Sequence, residues 1–248
     1  MVIRALERWY QENGLDPWNF QCSFLSDCKR DQEDFTIARP PMIGQFYEEG
    51  SLPRLVVLSS DPGSGDPLSD IRGFTLSGPD PGPFRKKSHW SETLELVYAI
   101  QVRFDSSLDM SDASASFLHE RAVKCCENNR DSREASDRLF LNCRDYVAAE
   151  IPILLPDIIV TQGNRATNAV ERAGLHGDQK WSMCDCDGHG CKFRVLTLPS
   201  GKLVLWLFTY HPTSRYQYYP TQRDGYFACY PVLAEEFVKG PEKFWGRK

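Results

Sequence analysis

Three features of this chain combine residue types and spacing in a way that chemistry uses. They are a carboxylate at the end of one apolar run, a histidine at the end of another, and two groups of cysteines. Asp61 follows Arg54-Leu55-Val56-Val57-Leu58-Ser59-Ser60 and opens Asp61-Pro62-Gly63-Ser64-Gly65. Glycines in such a stretch take positive φ readily and bring backbone amides close to a ligand. The same Asp suits an ordinary strand-to-loop turn just as well. His211 ends the run Leu203-Val204-Leu205-Trp206-Leu207-Phe208-Thr209-Tyr210 and leads into Pro212-Thr213-Ser214-Arg215. Alone, a His-Pro pair reads as a turn as easily as a site.

The nine cysteines are a high and odd number for a chain whose first residues lack the continuous apolar centre of a secretory leader. Outside the secretory route a disulfide framework is not expected. That leaves metal ligation, reactive thiols or small buried apolar residues. Cys22 and Cys28 lie in one irregular stretch, Cys125-Cys126 follow an apolar run, and Cys143 falls in a helical pattern. Cys184, Cys186, His189 and Cys191 put three thiols and an imidazole within eight residues. Zinc accepts that ligand set, although the spacing is tighter than in common structural sites, and a surface loop accounts for it equally well. Cys229, in the final apolar helix, reads as core.

The elements that must position these residues follow from periodicity. Residues 54–59 and 156–163 read as short buried strands, each running into a glycine-bearing turn. The pattern over 164–173 is a helix after the second, which makes half of a strand–helix–strand unit and calls for a parallel sheet. Helices are expected over 4–13, from Ser91 for about three turns, over 133–153 and over 224–238. A weak strand fits 117–124, and 193–198 with 203–210 form a hairpin around Pro199-Ser200-Gly201-Lys202. Residues 60–89 make a long loop dense in Gly, Pro, Ser and Asp, and 175–191 make a second irregular segment. The expected architecture is a three-layer α/β/α domain over 1–248, with a central, mainly parallel sheet of about four strands. Residues 175–191 form a candidate metal-binding insertion.

Composition bounds the function. At 41% apolar and 25% charged residues, the chain is of the soluble globular type, and no apolar run approaches a bilayer span. An intracellular monomer is the default. The net charge of -5 argues against a blanket electrostatic grip on nucleic acid, so any such binding must use local basic surface. Arg85-Lys86-Lys87, Lys29-Arg30, and Arg215 with Arg223 are candidates.

Three strand ends, taken in order, carry a resemblance. Ser59-Ser60-Asp61-Pro62-Gly63, Thr161-Gln162-Gly163-Asn164-Arg165-Ala166 and Tyr210-His211-Pro212-Thr213-Ser214 resemble the uracil-DNA glycosylase superfamily. The run Ala122-Val123-Lys124-Cys125-Cys126, followed by a helical Cys143, is similar to the branch that carries an iron–sulfur cluster. The resemblance covers most of residues 20–238. It implies a monofunctional DNA glycosylase that extrudes a deaminated base and hydrolyses its N-glycosidic bond. Asp61 would stabilise the oxocarbenium-like sugar and place the water, while His211 would donate to the leaving base. Ser60, Pro62, Gly63, Phe84 and Arg121 would surround the base. Gly163, Asn164, Pro212, Thr213, Ser214, Arg215 and Tyr216 would meet DNA, with Tyr216 as the wedge. Cys22, Cys28, Cys125 and Cys143 would hold a [4Fe–4S] centre, with Cys126 as the alternative to Cys125.

The chain also departs from that pattern. Ser59 and Ser60 stand where the first motif usually begins with Gly, and His-Pro-Thr replaces His-Pro-Ser. Five residues separate Cys22 from Cys28, where family members usually have two. Glu120 and Arg121 occupy positions that are Thr-Asn in the cluster-bearing branch, where the Asn reads the uracil edge. A guanidinium donates hydrogen bonds but accepts none, so the accepted base is left open. Two rival readings follow: a catalytically inactive member that senses a modified base, and a nucleotide hydrolase using Gly63 and Gly65 to cradle phosphate. No Gly-Lys-(Ser/Thr) supports a P-loop version of the latter.

Overall fold

The computed structural model describes residues 2–30, 35, 41–48, 51–60, 89–127, 135–177, 179–186, 188–212 and 218–244. Helix α1 (Val2–Glu12) buries Val2, Leu6 and Tyr10, one residue per turn on a single face. A short helix α2 (Leu25–Lys29) and a two-residue strand β1 (Met42–Ile43) precede the first buried strand, β2 (Leu55–Ser59). Then come α3 (His89–Gln101), α4 (Met110–Ala115) and β3 (Phe117–Arg121). The Asp109 side chain accepts from the Asp112 amide at the start of α4, and Asp112 returns the bond, a reciprocal cap. Next are α5 (Asp137–Leu154), β4 (Ile158–Gln162) and α6 (Asn164–Arg172). Strands β5 (Ser182–Cys186), β6 (His189–Thr197) and β7 (Leu203–Thr209) lead to helix α7 (Tyr218–Lys239) and a closing 3-10 turn at Pro241–Phe244.

The seven strands form one sheet in the order β1-β3-β2-β4-β7-β6-β5. Its centre, β3-β2-β4-β7, is parallel throughout, so the mainly parallel sheet of about four strands expected from sequence is the core of a larger seven-stranded one. The other three strands are antiparallel additions at the two edges. Strand β1 is too short to leave a periodic signature. Strand β5 has no apolar run, and it pairs because the turn at Gly188 (φ +81°) folds it back on β6. Residues 182–186 and 189–191 are therefore sheet rather than irregular insertion. The hairpin between β6 and β7 forms as expected, with Gly201 at φ +82°.

Alternation sorts the core into two layers. Leu55, Val57, Ile158, Val160, Leu205 and Leu207 pack on the face carrying α3 and α7. Val56, Leu58, Ile159, Val204 and Trp206 pack on the face carrying α1, α5 and α6. The two apolar faces, each covered by helices, give the α/β/α layering and account for continuous apolar runs in the central strands. The long loop expected over 60–89 lies almost wholly outside the described residues.

Candidate active site

The parallel strands end on one side of the sheet, and the backbone there delivers Ser60 after β2, Gly163 after β4 and His211 after β7. In such sheets ligands sit beyond the carboxyl ends of strands. Gly163 adopts φ +91°, and its amide donates to the Thr209 carbonyl at 2.8 Å, tying the ends of β4 and β7 together. A Cβ on Gly163 would stand 3.3 Å from the His211 Cβ and 3.5 Å from the Ser60 Oγ. The missing side chain thus leaves the space in which three strand ends converge. Helix α6 starts at once after Gly163, with no side-chain cap and with Asn164 exposed at its first position.

His211 does not stand alone. The ring of His89, the first residue of α3, stacks on it with centroids 4.6 Å apart and 18° between planes. His119, on β3, lies with its ring 5.9 Å from His89 and edge-on to Trp90 at 5.4 Å. His119 is only 2% exposed, and neither ring nitrogen has a hydrogen-bond partner among the described residues. Burial, aided by the Arg121 guanidinium and the two neighbouring imidazoles, holds the His119 pKa well below the ordinary 6.5. Burial also lowers the His211 pKa, so this imidazole is neutral near pH 7. Gln162, the last residue of β4, is buried, and its amide reaches both His89 (2.7 Å) and Thr93 (2.9 Å).

The opposite face of β3 is charged instead. The Lys124 ammonium is buried between the carboxylates of Glu120 (2.8 Å) and Glu150 (2.7 Å). The Tyr10 hydroxyl donates to Glu150 at 2.6 Å. Burial raises Glu150 to about 8, with the nearby Glu120 charge adding to the rise, so one proton is held among these carboxyls at neutral pH. Beyond Lys124 lie the thiols. Its backbone amide donates to the Cys143 sulfur at 3.4 Å, and the Asn142 amide donates to the Cys28 sulfur at 3.2 Å. The Cys22 sulfur lies 3.4 Å from the Tyr146 hydroxyl. Burial pushes the Cys143 thiol up to about 12, and that thiol feels both Cys28 and Cys22. Cys125 belongs to the same apolar cluster as Cys28 and Cys143, with Cys22 packed against it; Cys126 is buried but belongs to neither cluster.

Of the residues singled out from sequence, Ser60, Gly163 and His211 are brought together, with Pro212 next in the chain. Arg121 ends β3 in register with Ser59, half-buried, close enough to influence His119. Asp61, Pro62, Gly63, Phe84, Thr213, Ser214, Arg215 and Tyr216 lie outside the described residues. The register of the β5–β6 hairpin sets Cys184 opposite Cys191 and Cys186 opposite His189, and the side chains of Cys186 and His189 are outside the description. Among the described residues, no group of three or more His, Cys, Asp or Glu could hold a single metal ion. His89, His119 and Gln162 were not singled out from sequence. Gln162 stands inside a motif that was, whereas only packing reveals the two histidines.

A family model, that of the uracil DNA glycosylase superfamily, matches residues 47–230, well over half of the chain. The matched span runs from before β2 into α7 and includes every strand end described above. No curated protein matches the chain.

Proposed function

Because the chain belongs to the uracil DNA glycosylase superfamily, we propose that it hydrolyses the N-glycosidic bond of a deaminated base extruded from DNA. The observation that carries this reading is the convergence of Ser60, Gly163 and a desolvated His211 at neighbouring strand ends. Departure of the base leaves positive charge on the sugar and negative charge on the base carbonyl. Asp61, one residue beyond Ser60, would stabilise the sugar and place the attacking water. His211, neutral through burial, would donate one N–H to the carbonyl oxygen as its charge develops. A neutral donor aimed at developing charge in a dry site is worth far more than the same bond in water. Amides left without a side-chain cap at the start of α6 would meet a backbone phosphate beside the extruded nucleotide.

Cys22, Cys28, Cys125 and Cys143 would hold a [4Fe–4S] cluster. The donor chemistry fits: four thiols share one apolar layer, three of them sense one another, and the Lys124 charge favours the ionised form of Cys143. A polynuclear cluster spaces its thiolates more widely than a single ion does, so it does not require the tight grouping of a single-ion site. When bound, it would fasten α2 and α5 to the segment after β3. At the β5–β6 hairpin, Cys184, Cys186, His189 and Cys191 would supply the ligands of a zinc ion.

The test is alkali-induced strand cleavage of single- and double-stranded oligonucleotides containing uracil, hypoxanthine or xanthine, with Asp61→Ala run in parallel. Base release that Asp61→Ala abolishes supports the reading and names the base. Full activity in that variant would sink the mechanism. Metal analysis of the purified protein, with its visible absorbance, checks both metal sites. One observation favours a second reading, a non-catalytic sensor of modified bases: the only side chains at the base-reading positions are Arg121, a pure donor, and Glu120, committed to Lys124 on the other face. That reading predicts binding to modified DNA without abasic sites.

A further inference from the structure

We propose that His89 is a positioning residue for His211, a second imidazole that holds the first in one orientation at the reacting base. This deepens the glycosylase reading and rests on it. The argument begins at Thr93, whose single hydroxyl hydrogen has two acceptors in reach. They are the His89 carbonyl at 2.8 Å and the Gln162 Oε1 at 3.3 Å. The shorter bond takes the hydrogen, which leaves the Thr93 oxygen as an acceptor. The Gln162 Nε2, 2.9 Å away, is then the donor that fills it. A flipped amide would instead set two acceptors against each other at that distance. With the amide so fixed, its oxygen faces the His89 Nε2 at 2.7 Å. That nitrogen must carry the hydrogen, so His89 is held in one tautomer and one ring orientation.

The ring so fixed lies nearly parallel to His211 at 4.6 Å, close enough to limit its rotation and to cover one of its faces from water. Gly163 lies close beside it: a Cβ added there would stand 3.3 Å from the His211 Cβ, so any larger residue would push on the side chain. Three elements therefore fix the general donor: the end of β4 through Gln162, the start of α3 through His89, and the end of β7 itself. A catalytic hydrogen bond depends on placement within a fraction of an ångström, and a side chain on a strand end gains that only from neighbours that cannot move. The other titratable groups facing the pair among the described residues are His119 and, beyond it, Arg121, both on β3.

The experiment uses the full chain and two variants. His89→Ala removes stack and hydrogen bond; His89→Phe keeps a flat ring and removes the bond to Gln162. On a deaminated-base oligonucleotide, His89→Ala is expected to lower kcat at least tenfold with KM changed less than about twofold, and His89→Phe to recover most of that loss. In parallel, the His211 ring is titrated by NMR in each protein. Its midpoint moves up toward 6.5 in His89→Ala, as water reaches the ring, and stays low in His89→Phe. Wild-type kcat and an unmoved midpoint in His89→Ala would overturn the proposal, and so would a His89→Phe as slow as His89→Ala. If the wild-type protein releases no base at all, the glycosylase reading fails, while the His211 titration still decides whether His89 positions it. Should His89→Ala fail to fold, His89→Phe alone decides: loss of more than half the rate or a raised midpoint counts against the stack.

Discussion

Residues 119 and 120 are adjacent in the chain, yet they serve two regions that handle buried polarity in opposite ways. His119 points to the α3 face, where three imidazoles gather and, among the described residues, both ring nitrogens of His119 lack a hydrogen-bond partner. Glu120 points to the α1–α5 face, where an ammonium is enclosed by two carboxyls and a tyrosine hydroxyl. The period-two alternation of β3 is what keeps the two apart. A buried group without a partner costs stability and persists where something is to be bound; a buried charge enclosed by opposite charges ties parts together, even with the Glu120 Oε2 lacking a hydrogen-bond partner among the described residues. On the proposed function the imidazole side is the reactive one and the lysine side the fastening, and each can be broken separately.

The largest effect is expected on the lysine side. Lys124→Met removes the cation between Glu120 and Glu150 and leaves two carboxyls facing each other in an apolar layer. Breaking a buried pair in this way costs about 3–5 kcal/mol, read as a fall in the urea midpoint. The double variant Lys124→Met with Glu120→Gln removes the buried charge left without a counter-ion and should lose less than the single one. Equal losses would show that the charges are not coupled. Next in size is His211→Ala. Loss of the donor at the base should lower the single-turnover rate about 10²–10³-fold, with the melting temperature nearly unchanged. Only the second of these two variants should spare stability, and a His211→Ala protein that melts early would blur the division.

Gly163→Ala tests how tightly the reactive side is packed. At φ +91° an alanine is strained, and its methyl would meet His211 at 3.3 Å, so a loss of about 1–3 kcal/mol is expected together with slower base release. Gly201→Ala is the control. Its φ is +82°, so an alanine is strained there too, but nothing lies within 4 Å of the added carbon; stability should fall by about 1 kcal/mol and activity not at all. Matching activities in the two variants would mean that the space at Gly163 does not matter to His211.

How much of this was legible in the sequence depends on the kind of element. The strands of the parallel centre announce themselves because both faces are buried: Leu55-Val56-Val57-Leu58 and Ile158-Ile159-Val160 cannot sit elsewhere. Their ends are legible too, and Ser60, Gly163 and His211, named from those ends, lie together. Strand β5 could not, since Ser182-Met183-Cys184-Asp185-Cys186 has no apolar alternation and depends on its hairpin partner. Helix α7 starts at Tyr218, six residues before the apolar pattern begins at Asp224. His89 and His119 are single polar residues beside apolar ones. Their meaning comes from which helix lies over which strand, a long-range fact that no local pattern carries.

The smallest effect is a pH dependence, and its sign follows from the two faces. His119 and His211 have pKa values lowered by burial, so the unfolded chain binds protons that the folded one refuses. Their contribution is flat above 6.5 and becomes a loss of stability as pH falls below it. Glu150 acts the other way. Its carboxyl is raised from 4.5 to about 8, so the folded state holds a proton there that the unfolded state gives up, and stability falls as pH rises through that window. Between pH 6.5 and 4.5 the carboxyl therefore offsets one of the two histidines, and the wild-type profile understates each. Subtraction separates them. His119→Phe fills the same buried space without a titrating group, and the difference in unfolding free energy between the two proteins should grow in the variant's favour by at most about 1.4 kcal/mol per pH unit below 6.5. A difference that stays constant from pH 7 to pH 5 would mean that His119 accepts its proton in the folded chain, and that the imidazole side is wetter than its burial implies.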